Sequence, residues 1–387
     1  MIPVKFEFMT ANRIIFERGS ITQIGKLAKV MGHKVLLASG MFPGVTEKVA
    51  DYLKEEGLKV TIVYVTGEPS LEGIKKSLDL AREEKCDMTI GFGGGSAMDT
   101  GKIIATMLTN PREIIEYLEV IGEGRKLTIP SVPCIAIPTT SGTGAEVTKN
   151  SVIGSTANKV KVSLRSPYML PELVLLDPEL TLSVPPEVTA STGLDALTQV
   201  LEPFVSNMAN PVTDAFCREG LSRASTSLRK AYDNGDDVVA REEMALASLF
   251  GGLALANAKL GAVQGFAGVI GGLYPIPHGV VCAILLPYSI EANVKALSER
   301  DSSSIALKRF DEIAQILTGK KDARAMEGVI WIKELCDHLK VPKLGTFGVT
   351  EKEFPEIIEK SMVASSMKGN PIKLTYDELY HILSQAL

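Results

Sequence analysis

The chain has no basic block, no CxxC pair, no low-complexity tract and no internal repeat, and each absence removes a class of function. With a net charge of only −5 over 387 residues, nucleic acid is not an expected partner. The five cysteines, Cys86, Cys134, Cys217, Cys282 and Cys336, are odd in number and irregularly spaced; they read as reduced, buried thiols of a cytoplasmic protein. The first residues, MIPVKFEFMTANRIIFERGS, alternate apolar and polar side chains and lack the apolar block of a secretory signal. The stretch Met244–Ala256 is nearly all apolar but too short to cross a bilayer, and Asn257, Lys259 and Gln264 follow it; a buried helix is expected and no membrane partner. The dinucleotide fingerprint GxGxxG is also missing.

Apolar residues make up 45% of the chain, enough for sizeable cores, and the length suggests two domains. Short apolar runs at Lys34–Ser39, Lys59–Val65, Asp87–Phe92 and Cys134–Ile137 alternate with helical patterns at 44–57, 72–85 and from about Ala97. Such alternation predicts a mainly parallel sheet with helices on both faces. After Val184-Pro185-Pro186 only helical patterns remain, at 187–207, 211–232, 240–258, 305–319, 324–339 and 351–364. The expected architecture is therefore an α/β dinucleotide-binding domain over 1–185 and an all-α domain over 186–387, with a ligand cleft between them.

Two loops carry nucleotide chemistry. Gly93-Gly94-Gly95-Ser96-Ala97-Met98-Asp99 follows an apolar strand and opens a helix. Glycines admit an anion close to the backbone, and the helix N-terminus offers unpaired N–H groups. Ser96 and Asp99 have the spacing of a capping box. A tight βα turn without a ligand would use the same glycines. The second loop, Pro138-Thr139-Thr140-Ser141-Gly142-Thr143-Gly144-Ala145-Glu146, is rich in hydroxyls that can bond ribose and phosphate oxygens, or can simply form a polar surface loop. Lys161 lies downstream as a candidate partner for phosphate or ribose.

In the helical half, Asp195 and Gln199 are four residues apart and share a face, Gln264 sits in a later small-residue helix, and His278 follows in Pro277-His278-Gly279. A buried aspartate needs a partner, either a core hydrogen bond or a metal.

Gly93–Asp99, Pro138–Thr148, Asp177–Leu180, Thr192–Glu202, Ala256–Pro287 and Asn370-Pro371 resemble, in order and spacing, the segments of the iron-type (group III) alcohol dehydrogenases. The resemblance implies a nicotinamide-dependent interconversion of an alcohol with an aldehyde or ketone, with cofactor contacts at Gly94, Gly95, Ser96, Asp99, Thr139, Thr140, Thr143, Asn150 and Lys161. Where relatives that use NAD carry an aspartate for the ribose 2′-hydroxyl, this chain has Gly40, so NADP is expected, with NAD as the alternative; Gly40 also reads as an ordinary turn residue. Glu68 stands where the family often has asparagine.

The family holds its metal with one aspartate and three histidines, and the matching positions here are Asp195, Gln199, Gln264 and His278. Gly268 occupies the place of a further family histidine. The chain has only four histidines, His33, His278, His338 and His381, so none replaces those missing. Carboxamide oxygen is a weak ligand for Fe(II) or Zn(II), so the metal is expected to be absent or loosely held, and a harder ion such as Mg²⁺ would tolerate the oxygen ligands better. His278 then becomes the candidate acid–base residue, oriented by Asp195. Two competing expectations are a metal-independent reductase resembling the maleylacetate reductases and a nucleotide-binding relative without catalysis. A small neutral or apolar substrate and a homodimer complete the reading.

Overall fold

A computed structural model of the protein describes residues 5–41, 43–155 and 160–387. They form two compact units: one is built from Met9–Thr140 and Gly144–Leu182, the other from Ser183–Leu387 together with residues 5–8 and Ser141–Thr143.

The first unit contains β1 (Arg13–Phe16), α1 (Ile24–Lys29), β2 (Lys34–Ser39), α2 (Pro43–Glu55), β3 (Lys59–Tyr64), α3 (Leu71–Glu83), β4 (Met88–Gly93), α4 (Gly95–Thr109), α5 (Ile114–Tyr117), β5 (Cys134–Pro138), β6 (Asn150–Ser155), β7 (Val160–Arg165) and β8 (Leu173–Leu176). Six strands form one sheet in the order β1-β8-β5-β4-β2-β3, parallel throughout, and β6 and β7 pair as a separate antiparallel ladder. In β2, Leu36 packs with Ile74, Leu78 and Ile103 on one face, while Val35 and Leu37 pack with Ile24, Val49 and Leu53 on the other. Burial on both faces explains why this strand is continuously apolar rather than alternating. The chain leaves β2 toward β3 but leaves β4 toward β5, on the opposite side. The carboxyl ends of β2 and β4 therefore flank a topological switch point, the ligand position in open α/β sheets.

The second unit is helical: α6 (Pro186–Val205), α7 (Pro211–Asp233), α8 (Val238–Asn257), α9 (Ala262–Leu273), α10 (His278–Arg300), α11 (Ile305–Thr318), α12 (Ala325–His338), α13 (Phe354–Val363) and α14 (Tyr376–Ala386). Local chemistry starts these helices. Pro186 and Pro211 occupy the first helical turn, where their missing N–H is harmless, and the Asn210 side chain accepts from the N–H groups of Val212 and Thr213. Met244–Ala256 lies within α8. Among the described residues, α10 is long and apolar enough to span a bilayer, as is α8 with α9 if that pair, bent by 93°, is counted as one span, but 78% of the apolar window of α10 is buried inside the protein, as in a core helix. One large cluster, including Leu197, Phe204, Leu221, Phe266, Leu285 and Phe354, makes the core of this unit. All five cysteines are buried free thiols.

Candidate active site

The candidate nucleotide-binding edge in the first unit is a set of strand ends drawn together. Gly40 N–H donates to Phe92 O at 2.9 Å and Thr139 N–H to Gly93 O at 2.9 Å, so the ends of β2, β4 and β5 form one edge. Gly93 has φ +147°, and a Cβ there would lie 2.9 Å from Ala97 Cβ and 3.0 Å from Gly40 N; only glycine fits. A Cβ on Gly91 would approach Met98 Cα to 2.6 Å, so α4 rests directly on β4 and aims its N-terminus past the strand ends. Thr140 Oγ1 lies 3.5 Å from where a Gly94 Cβ would stand, which puts that hydroxyl beside the turn.

The expected capping box is not formed. The N-cap is Gly94, with no side-chain cap, and Ser96 lies inside the first turn of a helix that begins at Gly95. Asp99 turns away from the helix end: its Oδ2 accepts from Val152 N–H at 2.9 Å and its Oδ1 pairs with Lys102 Nζ at 3.0 Å. The physical reason is Lys102, whose ammonium is wholly buried and draws the Asp99 carboxylate toward itself. The first-turn N–H groups of α4 thus carry no side-chain cap, which suits an anion.

Sequence reasoning missed Lys102. Its ammonium donates to Ala145 O at 2.9 Å, to Thr148 Oγ1 at 3.1 Å and to Asn150 O, fastening the hydroxyl-rich loop to α4. A lysine in the otherwise apolar turn Gly101-Lys102-Ile103-Ile104 was the available signal. Asn150 enters this network through its backbone, at the start of β6. Nearby, burial pushes the Glu146 carboxyl up to about 7, against the pull of Lys102. Lys161 is paired with Glu68, so its charge is met by a carboxylate. Thr139 is buried at the end of β5, and Thr143 belongs with Ser141 and Gly142 to the helical unit.

Within the helical unit, α6, α9 and α10 bring Asp195, Gln264, His278 and Cys282 together. Gln264 Nε2 donates to Asp195 Oδ1 at 2.7 Å, and Gln264 Oε1 faces His278 Nε2 at 3.0 Å. A carboxylate only accepts, so the glutamine must present its nitrogen to Asp195 and its oxygen to the imidazole; that oxygen in turn requires hydrogen on Nε2. The result is a directed chain, His278 to Gln264 to Asp195, with Nδ1 as the basic atom of the neutral ring. Cys282 was not foreseen: its Sγ lies 3.4 Å from Gln264 Nε2 and 3.6 Å from His278 Nε2. Burial, with Asp195 beside it, pushes this thiol well above its ordinary range. Gln199, one turn after Asp195, is buried, and its Oε1 has no hydrogen-bond partner among the described residues.

One helical turn beyond Gln199, Glu202 anchors α9. Its carboxylate accepts from Gly261 N–H at 2.8 Å, Val263 N–H at 2.7 Å and Gln264 N–H at 3.4 Å, while Asn370 Oδ1 accepts from Ala262 N–H at 3.1 Å. Burial pushes Glu202 up to about 7, and those N–H groups pull it down. At Gly268 a Cβ would meet nothing within 4 Å, so the side chain missing from that position leaves open space.

These residues do not fit an ion held by one carboxylate and three imidazoles. Two donors are carboxamides, Gln264 turns its amide nitrogen toward Asp195, and its oxygen faces His278 Nε2, an arrangement that requires hydrogen on that nitrogen. An NH₂ group and a protonated ring nitrogen have no lone pair to give.

A switch-point glycine turn in one unit and a carboxylate–amide–imidazole cluster in the other are the parts of a nucleotide-dependent oxidoreductase. The family model described as iron-containing alcohol dehydrogenase matches residues 11–178, and that of the family's C-terminal part matches residues 189–387. The chain is 34% identical over 394 residues to 1,3-propanediol dehydrogenase of Klebsiella pneumoniae, covering 98% of each. It is 31% identical over 384 residues to the NAD-dependent methanol dehydrogenase of Bacillus methanolicus, covering 96% of this chain and 97% of that one. A solved 1,3-propanediol oxidoreductase superposes with a TM-score of 0.90 at 34% identity, covering 99% of this chain and 100% of the other. The chain belongs to the iron-containing alcohol dehydrogenase family and is an enzyme of that oxidoreductase class.

Proposed function

We propose that this enzyme moves a hydride between a small neutral or apolar alcohol and a nicotinamide cofactor, with His278 handling the hydroxyl proton that a metal-bound site would otherwise activate. The directed chain from His278 through Gln264 to Asp195 carries this reading. On oxidation, the carbinol hydride leaves for the nicotinamide ring and the hydroxyl proton goes to Nδ1; on reduction the imidazolium returns it. Asp195, at 1% exposure, supports the imidazolium through the Gln264 amide. His278→Ala is expected to lower kcat by about 10²–10⁴-fold with nucleotide affinity retained. Full turnover in that variant would overturn the assignment.

The nucleotide is assigned to the Gly94-Gly95-Ser96 turn, with its ribose and phosphate oxygens at Thr139, Thr140 and Thr143 and with Asp99, Asn150 and Lys161 in supporting positions; the uncapped α4 N-terminus supports this. NADP is the preferred cofactor and NAD the alternative. A Cβ at Gly40 would make only ordinary contacts of 3.6–3.9 Å, so the fold tolerates a side chain there. The missing carboxylate is therefore not enforced by packing, and its absence removes repulsion toward a 2′-phosphate. The small and apolar residues of α9 and the open space at Gly268 favour an uncharged substrate.

A further inference from the structure

We propose that the buried guanidinium of Arg241 makes a binding site for one chloride ion inside the helical unit. Arg241 stands on α8 at 3% exposure and lines a cavity bounded by Ser141, α6 and α7, all within that unit. Its side chain makes three hydrogen bonds: Nε donates to Gly235 O at 2.9 Å, Nη1 to Thr189 Oγ1 at 2.8 Å and Nη2 to Val184 O at 3.0 Å. All three acceptors are neutral. A guanidinium has five N–H groups and keeps its proton, so two donors and a full charge are left over. No carboxylate pairs with Arg241 among the described residues. The Asp237 carboxylate is spent on the start of α8, where it accepts from Val239 and Ala240 N–H, and Asp236 is exposed. Burial pulls the guanidinium below its ordinary value, while Asp236 pushes the other way.

The cavity lacks an acceptor as well as a counter-charge. Ser141 lines it, and the Ser141 Oγ is buried with no hydrogen-bond partner among the described residues. The Thr192 hydroxyl is already spent on Val188 O at 2.8 Å. Ser141 O–H and the remaining guanidinium N–H groups are thus the donors left to this space, and Leu228 and Met244 give it apolar walls. Close packing fixes those walls: a Cβ on Gly142 would lie 2.6 Å from Thr192 Cβ, and one on Gly193 would lie 2.2 Å from Leu228 Cδ1. The volume, about 10 Å³, admits one water-sized sphere. Phosphate and carboxylate groups are too large. A monatomic halide fits once the wall yields slightly, which the unbranched Met244 side chain allows. Water would satisfy the donors and leave the charge; a monovalent anion answers both, and a buried charge is least costly when paired. Ser141, Val184 and Thr192 are half-buried and give the site an edge toward solvent. None of these residues is assigned to the hydroxyl proton or the nucleotide, so the site stands or falls apart from the hydride chemistry.

The test is thermal unfolding of the full-length protein, dialysed into sodium gluconate and titrated with sodium chloride at constant ionic strength. Chloride should raise Tm along a saturating curve, by about 2 °C or more at the plateau. Arg241→Met, which keeps the length of the side chain without its charge, should make Tm independent of chloride. Ser141→Ala should raise the half-saturating chloride concentration by about tenfold, the loss of one hydrogen bond to a charged partner. Crystals of the wild type grown in bromide keep the test decisive if Arg241→Met does not fold: one anomalous bromide peak is expected against Arg241 and Ser141 Oγ. A linear response to chloride, an equal response in wild type and Arg241→Met, or a cavity that holds only water in bromide overturns the site.

Discussion

Replacing Gln264 with leucine tests the proposed chemistry at its joint. The two side chains have similar volume, so the change removes hydrogen bonds while opening little cavity. It deletes the 2.7 Å bond to Asp195, whose carboxylate is 98% shielded and pairs with no lysine or arginine among the described residues, and the 3.0 Å acceptor of His278 Nε2. A hydrogen bond to a buried charge is worth about 1.5–3 kcal/mol and a neutral one about 1 kcal/mol. Gln264→Leu should therefore lower unfolding stability by about 2.5–4 kcal/mol in urea titrations. With the tautomer no longer fixed, kcat should fall by roughly 10²-fold or more, while nucleotide affinity, which the proposal assigns to the other unit, stays within about twofold. A stability loss below about 0.5 kcal/mol together with near-normal kcat would refute the reasoning, because it would mean that Asp195 and His278 are supported by other groups.

Gly40→Asp should shift the ratio of kcat/KM for NADPH over NADH downward by about tenfold or more, measured side by side with one alcohol; an unchanged ratio removes Gly40 from cofactor choice. Lys102→Met should cost about 3 kcal/mol or more in denaturant unfolding, since it strands Asp99 and releases the Ala145–Asn150 segment; a loss under about 1 kcal/mol would show that water replaces the ammonium freely. Glu146 has its folded value raised to about 7 from 4.5, so the folded state holds the extra proton between those values. Its contribution to stability is thus favourable below about 4.5 and is lost as pH rises toward 7. Relative to Glu146→Gln, the wild type should be more stable at pH 5 than at pH 7.5, as read from paired urea curves; a gap that widens with pH would reverse the sign.

Several parts of the site were legible residue by residue. Lys34–Ser39 coincides with β2, and the glycine turn stands at the switch point, because short apolar runs bounded by glycine report strand ends directly. The hairpin of β6 and β7 and the edge strand β1 were not recognised. Their half-exposed patterns resemble loops, and strand character comes from pairing, between β6 and β7 themselves and, for β1, with the distant β8. Helix α4 begins two residues earlier than its apolar periodicity suggested, because the N-cap is set by Gly94 rather than by the Ser96 hydroxyl.

By itself, the sequence determined the alternation of strands and helices, the glycine and hydroxyl loops after β4 and β5, and the presence of glutamine at 199 and 264, where the family resemblance implies histidine. These are matters of local periodicity, turn chemistry and residue identity, which act over a few neighbours. Only the tertiary structure decided how those residues are used. Gln264 meets Asp195 across 69 positions and His278 across 14, and Lys102 reaches its acceptors across 43 to 48. Such pairings depend on how helices and strands pack and on which buried charge wins a shared partner. Hence Asp99 serves Lys102 rather than a helix cap, and Cys282, one more buried thiol in the sequence, stands beside His278.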